Sequence, residues 1–235
     1  MNALTPTRQR RVMIGTPCMD GRPEARYTYC LAETVRLAER AGLDLRPVIQ
    51  CYDAILPNLR NQIARAAVEN RFDDLIWIDA DIDWQPEWID KLLTYPVDCV
   101  GGTYRKKTDA TETYEVSSTV WPLPIDPVTG LLQVTSLGAG FLRLSSRALE
   151  MLWESSTPYR CRSEPPTHMV FEYGLVNGEH LGEDTMLSRK LKALGIATYL
   201  DPSMTCGHTG SKQFAGDFAK WLEAETARRA QLAAA

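Results

Sequence analysis

The chain has 235 residues, 44% apolar and 24% charged, with a formal net charge of −4. Those are globular proportions, with ample length for one sizeable core. The acidic balance excludes a broad basic face for nucleic acid and favours a small-molecule or glycan partner. No apolar run approaches the length of a membrane span, and the polar, basic N-terminus has no apolar h-region behind it, so neither a span nor a signal peptide is expected.

In chain order, residues 12–15 (Val-Met-Ile-Gly) read as a short strand, broken by Thr16-Pro17. Residues 24–41 are helical, with Tyr27, Leu31, Val35 and Ala38 on one stripe and Gly42 as the stop. A second strand spans 46–51, and Asn58 is expected to cap a helix running through Ile63, Ala67 and Val68. Residues 75–79 form a strand, 86–94 a helix with Pro86 near its first turn, and 98–100 a strand ending at Gly101-Gly102. This alternation predicts an α/β fold: one Rossmann-like domain, with a mostly parallel mixed sheet and helices on both faces. No Gly-x-Gly-x-x-Gly opens the first helix, so a dinucleotide cofactor is not expected.

Residues 103–136 turn polar and Pro-rich, as an antiparallel excursion or a long loop. A strand is predicted at 138–144 and a helix at 145–153. Residues 154–182 show little periodicity and read as a long functional loop, a lid over the acceptor side. A helix over 184–194 and a strand over 197–200 follow. Phe214, Phe218, Trp221 and Leu222 share one helical face, read as a terminal helix docked on its own domain, with a homo-oligomer contact as the alternative. The six cysteines (18, 30, 51, 99, 161 and 206) are scattered without Cys-x-x-Cys and read as reduced core residues of a cytoplasmic protein. Neither Cys161 with His168 nor Cys206 with His208 has the spacing of a zinc site.

The most informative segment is 75–84, Leu-Ile-Trp-Ile-Asp-Ala-Asp-Ile-Asp-Trp. An apolar strand runs into Asp79, Asp81 and Asp83 at every second position, which on an extended chain share one side. Roughly one Asp-x-Asp is expected by chance in a chain this long; the strand before it and the helix after it give this one its weight. Acids at the C-terminal end of an α/β strand suit a hard divalent cation, Mg²⁺ or Mn²⁺, shared with substrate phosphates.

Gly182-Glu183-Asp184 opens a helix after the least structured stretch. Asp184 there is either a helix cap or a carboxylate that takes a proton from an incoming hydroxyl, with Glu183 the next candidate. His208, in a Gly-rich turn past the last strand, is either structural or a further metal ligand.

Asp79-Ala80-Asp81, then residues 138–149, then Gly182-Glu183-Asp184, then Tyr199-Leu200-Asp201-Pro202 and His208 follow in the order seen in GT-A nucleotide-sugar glycosyltransferases. The resemblance covers roughly residues 11–210 and is nearest to family-2-like enzymes, the small bacterial and phage forms, with some likeness to the mannan-polymerase type. It implies a tail at 1–10, a GT-A domain at 11–210 and a C-terminal helix at 211–235. It implies transfer of a sugar from a UDP- or GDP-sugar donor to a glycan or other hydroxyl acceptor, inverting in preference to retaining, with Mn²⁺ or Mg²⁺ as cofactor.

By that likeness Asp79 contacts the nucleotide, Asp81 ligates the metal with His208 and Asp79, and Asp184 is the catalytic base. Arg60-Asn61 resembles an Arg-Asn pair facing the donor. Gly101-Gly102 with Lys106-Lys107 resembles a Gly-Gly segment with a phosphate-facing Lys, so Gly102 and Lys107 are assigned to the donor. Thr16-Pro17 lies where base and ribose belong. The chain departs from the pattern after the second strand, where Asp53 is shifted from the usual base-reading Asp, and across 104–136, which match nothing in the family. The alternatives are a sugar-phosphate nucleotidyltransferase, against which the single Gly and absence of Lys in 16–24 argue, and a catalytically silent nucleotide- or sugar-binding module.

Overall fold

The computed structural model describes residues 9–161 and 164–234. The first half follows the predicted alternation: β1 (Arg11–Cys18), α1 (Ala25–Ala41), β2 (Asp44–Cys51), α2 (Leu56–Glu69), β3 (Asp74–Ile78), β4 (Ile82–Asp83), α3 (Trp88–Thr94) and β5 (Cys99–Tyr104). A ribbon region follows, β6 (Val116–Ser117), β7 (Leu132–Val134) and β8 (Ser136–Leu137), then β9 (Phe141–Ser145) and α4 (Ser146–Ser155). The chain closes with β10 (Pro158–Tyr159), β11 (Thr167–His168), β12 (Gly174–Val176), β13 (Glu179–Leu181), α5 (Glu183–Ala193), β14 (Thr198–Thr209), β15 (Gln213–Phe214) and α6 (Phe218–Ala233).

The central sheet runs β15-β14-β5-β9-β3-β1-β2. β1 is parallel to β2 and β3, and β14 to β5, while β9 runs against both β3 and β5. Five long strands therefore point the same way, and their C-terminal ends gather Pro17, Asp79, Lys107 and His208 along one rim. Strand alternation sorts the side chains into two layers. Met13, Leu75 and Trp77 join Ile63, Leu149 and Leu187 of α2, α4 and α5 on one face. Val12, Ile14, Ile76 and Ile78 join Tyr27 and Ile89 of α1 and α3 on the other. No described helix is long and apolar enough to cross a membrane.

Several boundaries differ from the sequence reading, each for a physical reason. β1 does not break at Thr16-Pro17, because β3 stops pairing with it at Gly15 and a missing N–H beyond that point costs no ladder bond. β2 tolerates Pro47 because it is the edge strand. Asn58 lies inside α2, and Asp53 accepts from the Ile55 amide just ahead of the helix. Within 154–182, read from sequence as a loop of little periodicity, the described residues form two short antiparallel pairs, β10–β11 and β12–β13. Phe214 belongs to β15, and Asp217 caps α6 by accepting from the Lys220 amide. All six cysteines are free thiols, four of them buried.

Candidate active site

The segment after β3 does not stay extended. Ile82 N–H donates to the Asp79 carbonyl at 3.1 Å, closing a tight turn through Ala80-Asp81. Its surroundings hold it on every side: Asp79 N–H donates to Gly140 O at 3.1 Å, Glu24 N–H to Ala80 O at 2.8 Å and Thr209 N–H to Asp81 O at 2.8 Å. The three acids therefore do not share a strand face. Asp83 leaves the group, bound by Gln213 at 2.9 Å and facing Arg26 at 3.4 Å.

Asp79 keeps the phase of Leu75 and Trp77, so it faces the α2 layer. There Arg60, one turn ahead of Ile63 and Ala64 on the buried stripe of α2, hydrogen-bonds Asp79 Oδ2 at 3.1 Å and lies 2.9 Å from Oδ1. The guanidinium is 1% exposed and packs between Trp77 (5.7 Å to the ring centre) and Phe171 (5.2 Å). Its Nη2 also stands 4.0 Å from Asp184 Oδ1, and its Nε 3.9 Å from Glu183 Oε1. Asp184 reaches this place because it continues the buried Leu187, Ser188, Leu191 stripe of α5; the cap residue itself is Gly182.

One cation thus faces three carboxylates. Burial works against the Arg60 charge, but the acids outweigh it and raise its pKa. Burial pushes the Asp184 carboxyl up to about 7; Arg60 opposes the rise, and Glu183 and Asp79 add to it. Asp79 is raised by burial in the same way, with Arg60 pulling against it.

On the opposite side of the turn, the His208 Nδ1–H donates to the Arg105 carbonyl at 2.8 Å. That leaves the Nε2 lone pair toward Asp81, 3.7 Å from Oδ1, too far for a hydrogen bond. Tyr104 packs edge-on against the imidazole at 4.9 Å and accepts the Gly140 amide at 3.0 Å. Lys107 Nζ lies on Asp81 Oδ2 at 2.5 Å. Among the described residues no group of three His, Cys, Asp or Glu side chains could hold a metal. At the turn one carboxylate and one imidazole face each other, the imidazole oriented through its second nitrogen. The pair fits a divalent cation that takes its remaining ligands from a phosphorylated substrate. Asp79, committed to Arg60, lies outside that pair.

Beside the turn opens a cleft of about 400 Å³, walled by Pro17, Cys18, Met19, Asp20, Arg22 and Leu56, with Asp79, Ala80 and Asp81 at its end. Three residues assigned to the donor from sequence are elsewhere. Thr16 keeps the phase of Ile14, toward α1, where its hydroxyl meets the Tyr27 hydroxyl at 2.5 Å. Asn61 is 1% exposed, accepting from Phe171 N–H at 2.7 Å and donating to Phe171 O at 2.9 Å. Gly102 is buried within β5, where a Cβ would stand 2.5 Å from Met204 O, and at Gly101 2.2 Å from Phe141 O. The glycine pair lets neighbouring strands close. The sequence reading gave no role to Tyr104, which it met only as the end of the Gly101-Gly102 segment, and passed over Phe171 and Arg22; the aromatic pair had no periodic signal to mark it.

No protein-family profile and no curated protein matches the chain. Among solved structures, A197 from STIV aligns over 87% of this chain and 93% of its own, with a TM-score of 0.53 and 17% identity, a likeness of fold. A glycosyltransferase involved in glycosylation of the major capsid of PBCV-1 aligns over 61% of this chain and 66% of its own (TM-score 0.34, 15% identity). A protein assigned as a glucose-1-phosphate thymidylyltransferase from Bacillus anthracis aligns over 62% and 76% (TM-score 0.35, 8% identity).

Proposed function

We propose that the chain is a metal-dependent glycosyltransferase of GT-A-like fold, taking a sugar from a UDP- or GDP-sugar and passing it to an acceptor hydroxyl. The observation that carries this reading is the pairing of His208 with Asp81, a residue of the cleft wall, the two turned toward each other at 3.7 Å without a bond between them. Together they would hold Mn²⁺ or Mg²⁺, which supplies charge neutralisation for the departing diphosphate. Lys107, on Asp81 and at the same rim, is placed to turn its ammonium to that diphosphate. The walls from Pro17 to Arg22 receive the nucleoside, and Asp79 accepts hydrogen bonds from donor hydroxyls with Arg60 holding it in place.

Asp184 is the base. Its pKa of about 7 matches the task of taking a proton near neutrality. The acceptor oxygen bonds to the anomeric carbon as its proton passes to Asp184. The bond from that carbon to the phosphate oxygen breaks on the opposite side, inverting the configuration.

The test is to offer UDP- and GDP-sugars with Mn²⁺ and follow release of nucleoside diphosphate by wild-type protein and Asp184→Asn. Release that falls roughly 10²–10⁴-fold in the variant supports the base assignment. Consumption of nucleoside triphosphate and sugar 1-phosphate with release of pyrophosphate would show a nucleotidyltransferase and overturn the proposal.

A further inference from the structure

The β12–β13 hairpin stands apart from the central sheet, pairing only with itself. Its turn, Asn177-Gly178, has both residues at positive φ (52° and 84°), the geometry a two-residue hairpin loop requires. Two strands alone are marginal in water. This pair is secured at its base, where the Met186 side chain of α5 packs into the space beside Gly174. The hairpin is thereby fixed to the helix that carries Glu183 and Asp184, and it enters that helix directly.

Its side chains divide by alternation. Tyr173 and Leu175 lie on one side, and His180, directly across from Leu175, joins them. Tyr173 is 48% exposed and Leu175 74%, and the Tyr173 and His180 rings lie 5.8 Å apart at 34°. Tyr173 follows Phe171, which packs on Arg60. Burial raises the Tyr173 phenol's pKa, with the Glu183 and Asp184 carboxylates adding to the rise and Arg60 opposing it. An aromatic and apolar face therefore stands open to solvent at the end of the hairpin that runs into Glu183 and Asp184, because Gly174 pairs with Leu181 just ahead of that helix. Tyr173 and Leu175 are among the exposed large apolar side chains of the described residues, whereas Phe171, two residues earlier, is fully buried.

We propose that this face of Tyr173, Leu175 and His180 is the acceptor subsite, and that the acceptor is a glycan whose sugar ring lies on Tyr173. The proposal rests on Asp184 being the base. A pyranose presents an apolar C–H face and a rim of hydroxyls. The negative ring face of an aromatic complements the first, and nearby carboxylates take up the second. A sugar lying on Tyr173 directs its rim hydroxyls toward Asp184, whereas an aliphatic alcohol or a serine side chain has no flat face to stack.

Saturation-transfer NMR with methyl glycosides of glucose, galactose and mannose tests this, with N-acetylserinamide and butanol as non-sugar hydroxyls. Wild-type protein, Tyr173→Ala and Tyr173→Phe are compared, and the same samples are melted with UDP and Mn²⁺. Sugar C–H protons should saturate on the wild type. Affinity should fall roughly 2–10-fold in Tyr173→Ala, the worth of one stacked ring, and hold in Tyr173→Phe. Sugar binding by Tyr173→Ala equal to wild type overturns the proposal, as does a wild type that binds no glycoside or prefers the non-sugar hydroxyls. Stabilisation by UDP and Mn²⁺ that persists in all three proteins places any loss on the acceptor side. Its absence from all three counts against the transferase reading alone, and the sugar arms still decide the subsite.

Discussion

Arg60 Nη2 stands 4.0 Å from Asp184 Oδ1 while the same nitrogen contacts Asp79 at 2.9 Å. One buried guanidinium thus serves the carboxylate at the end of the cleft and the carboxylate proposed as base. Removing it leaves three half-buried acids facing each other with no cation between them. Arg60→Met should cost roughly 3–5 kcal/mol, the usual penalty for stranding a buried charge. The loss should grow with pH, because protonation relieves it. Arg60→Lys restores a charge without the planar fork and should fall between. Urea melts at pH 5 and pH 8 check both; a variant as stable as wild type at pH 8 contradicts the shared-cation account.

Asp184 itself should cost stability. Its carboxyl is pushed from an ordinary 3.8 up to about 7, chiefly by burial. Between those values the folded chain holds a proton that the unfolded chain has released, so stability falls as pH rises through the interval. Asp184→Asn, which cannot ionise, should match wild type near pH 4 and exceed it above pH 7, by up to about 4 kcal/mol. Transfer should run the opposite way, rising with pH through about 7 as the base becomes free. A variant less stable than wild type at pH 8 would mean that the carboxylate supports the fold.

Asn61 separates a clamp from a donor ligand. Its amide accepts from and donates to the Phe171 backbone, and it also donates to the Tyr159 hydroxyl at 3.1 Å. Asn61→Ala leaves a buried N–H and C=O unpaired, a loss of roughly 1–3 kcal/mol for each group so stranded. Thermal melts should show that loss, while UDP or GDP affinity stays within about twofold once the protein is folded. A large drop in nucleotide affinity at unchanged stability would return Asn61 to the donor.

Gly102→Ala checks the reading of the glycine pair. The new Cβ would sit 2.5 Å from the Met204 carbonyl, a backbone atom that cannot swing away. The substitution should destabilise by roughly 1–3 kcal/mol, as overpacking does. A variant with wild-type stability but weakened nucleotide binding would restore the phosphate-facing role.

The parallel half of the fold was legible because its strands are continuous apolar runs and its helices carry plain stripes with stops such as Gly42. Asp79, Asp81 and Asp184 stood out through residue type and placement at element ends. Their geometry was hidden: extended alternation put Asp83 beside Asp79, whereas the turn closed by Ile82 N–H sends it to Arg26 and Gln213. The hairpins within 158–181 have strands of two or three residues, too short for a period, although Asn177-Gly178 is a hairpin signal. Thr16, Asn61 and Gly102 were assigned by likeness to motifs. What turns each away from the cleft is strand phase or tertiary contact, which a single sequence does not display.

The central claim is that a nucleoside diphosphate is held through a divalent cation on Asp81 and His208. Its most direct measurement is the melting of wild type and Asp81→Asn with UDP and GDP, in Mn²⁺ and in EDTA. A nucleotide at a hundredfold its Kd adds roughly 2.7 kcal/mol, and the account predicts that gain for at least one nucleotide in wild type with Mn²⁺ only. Equal stabilisation in EDTA, or in Asp81→Asn, would contradict it.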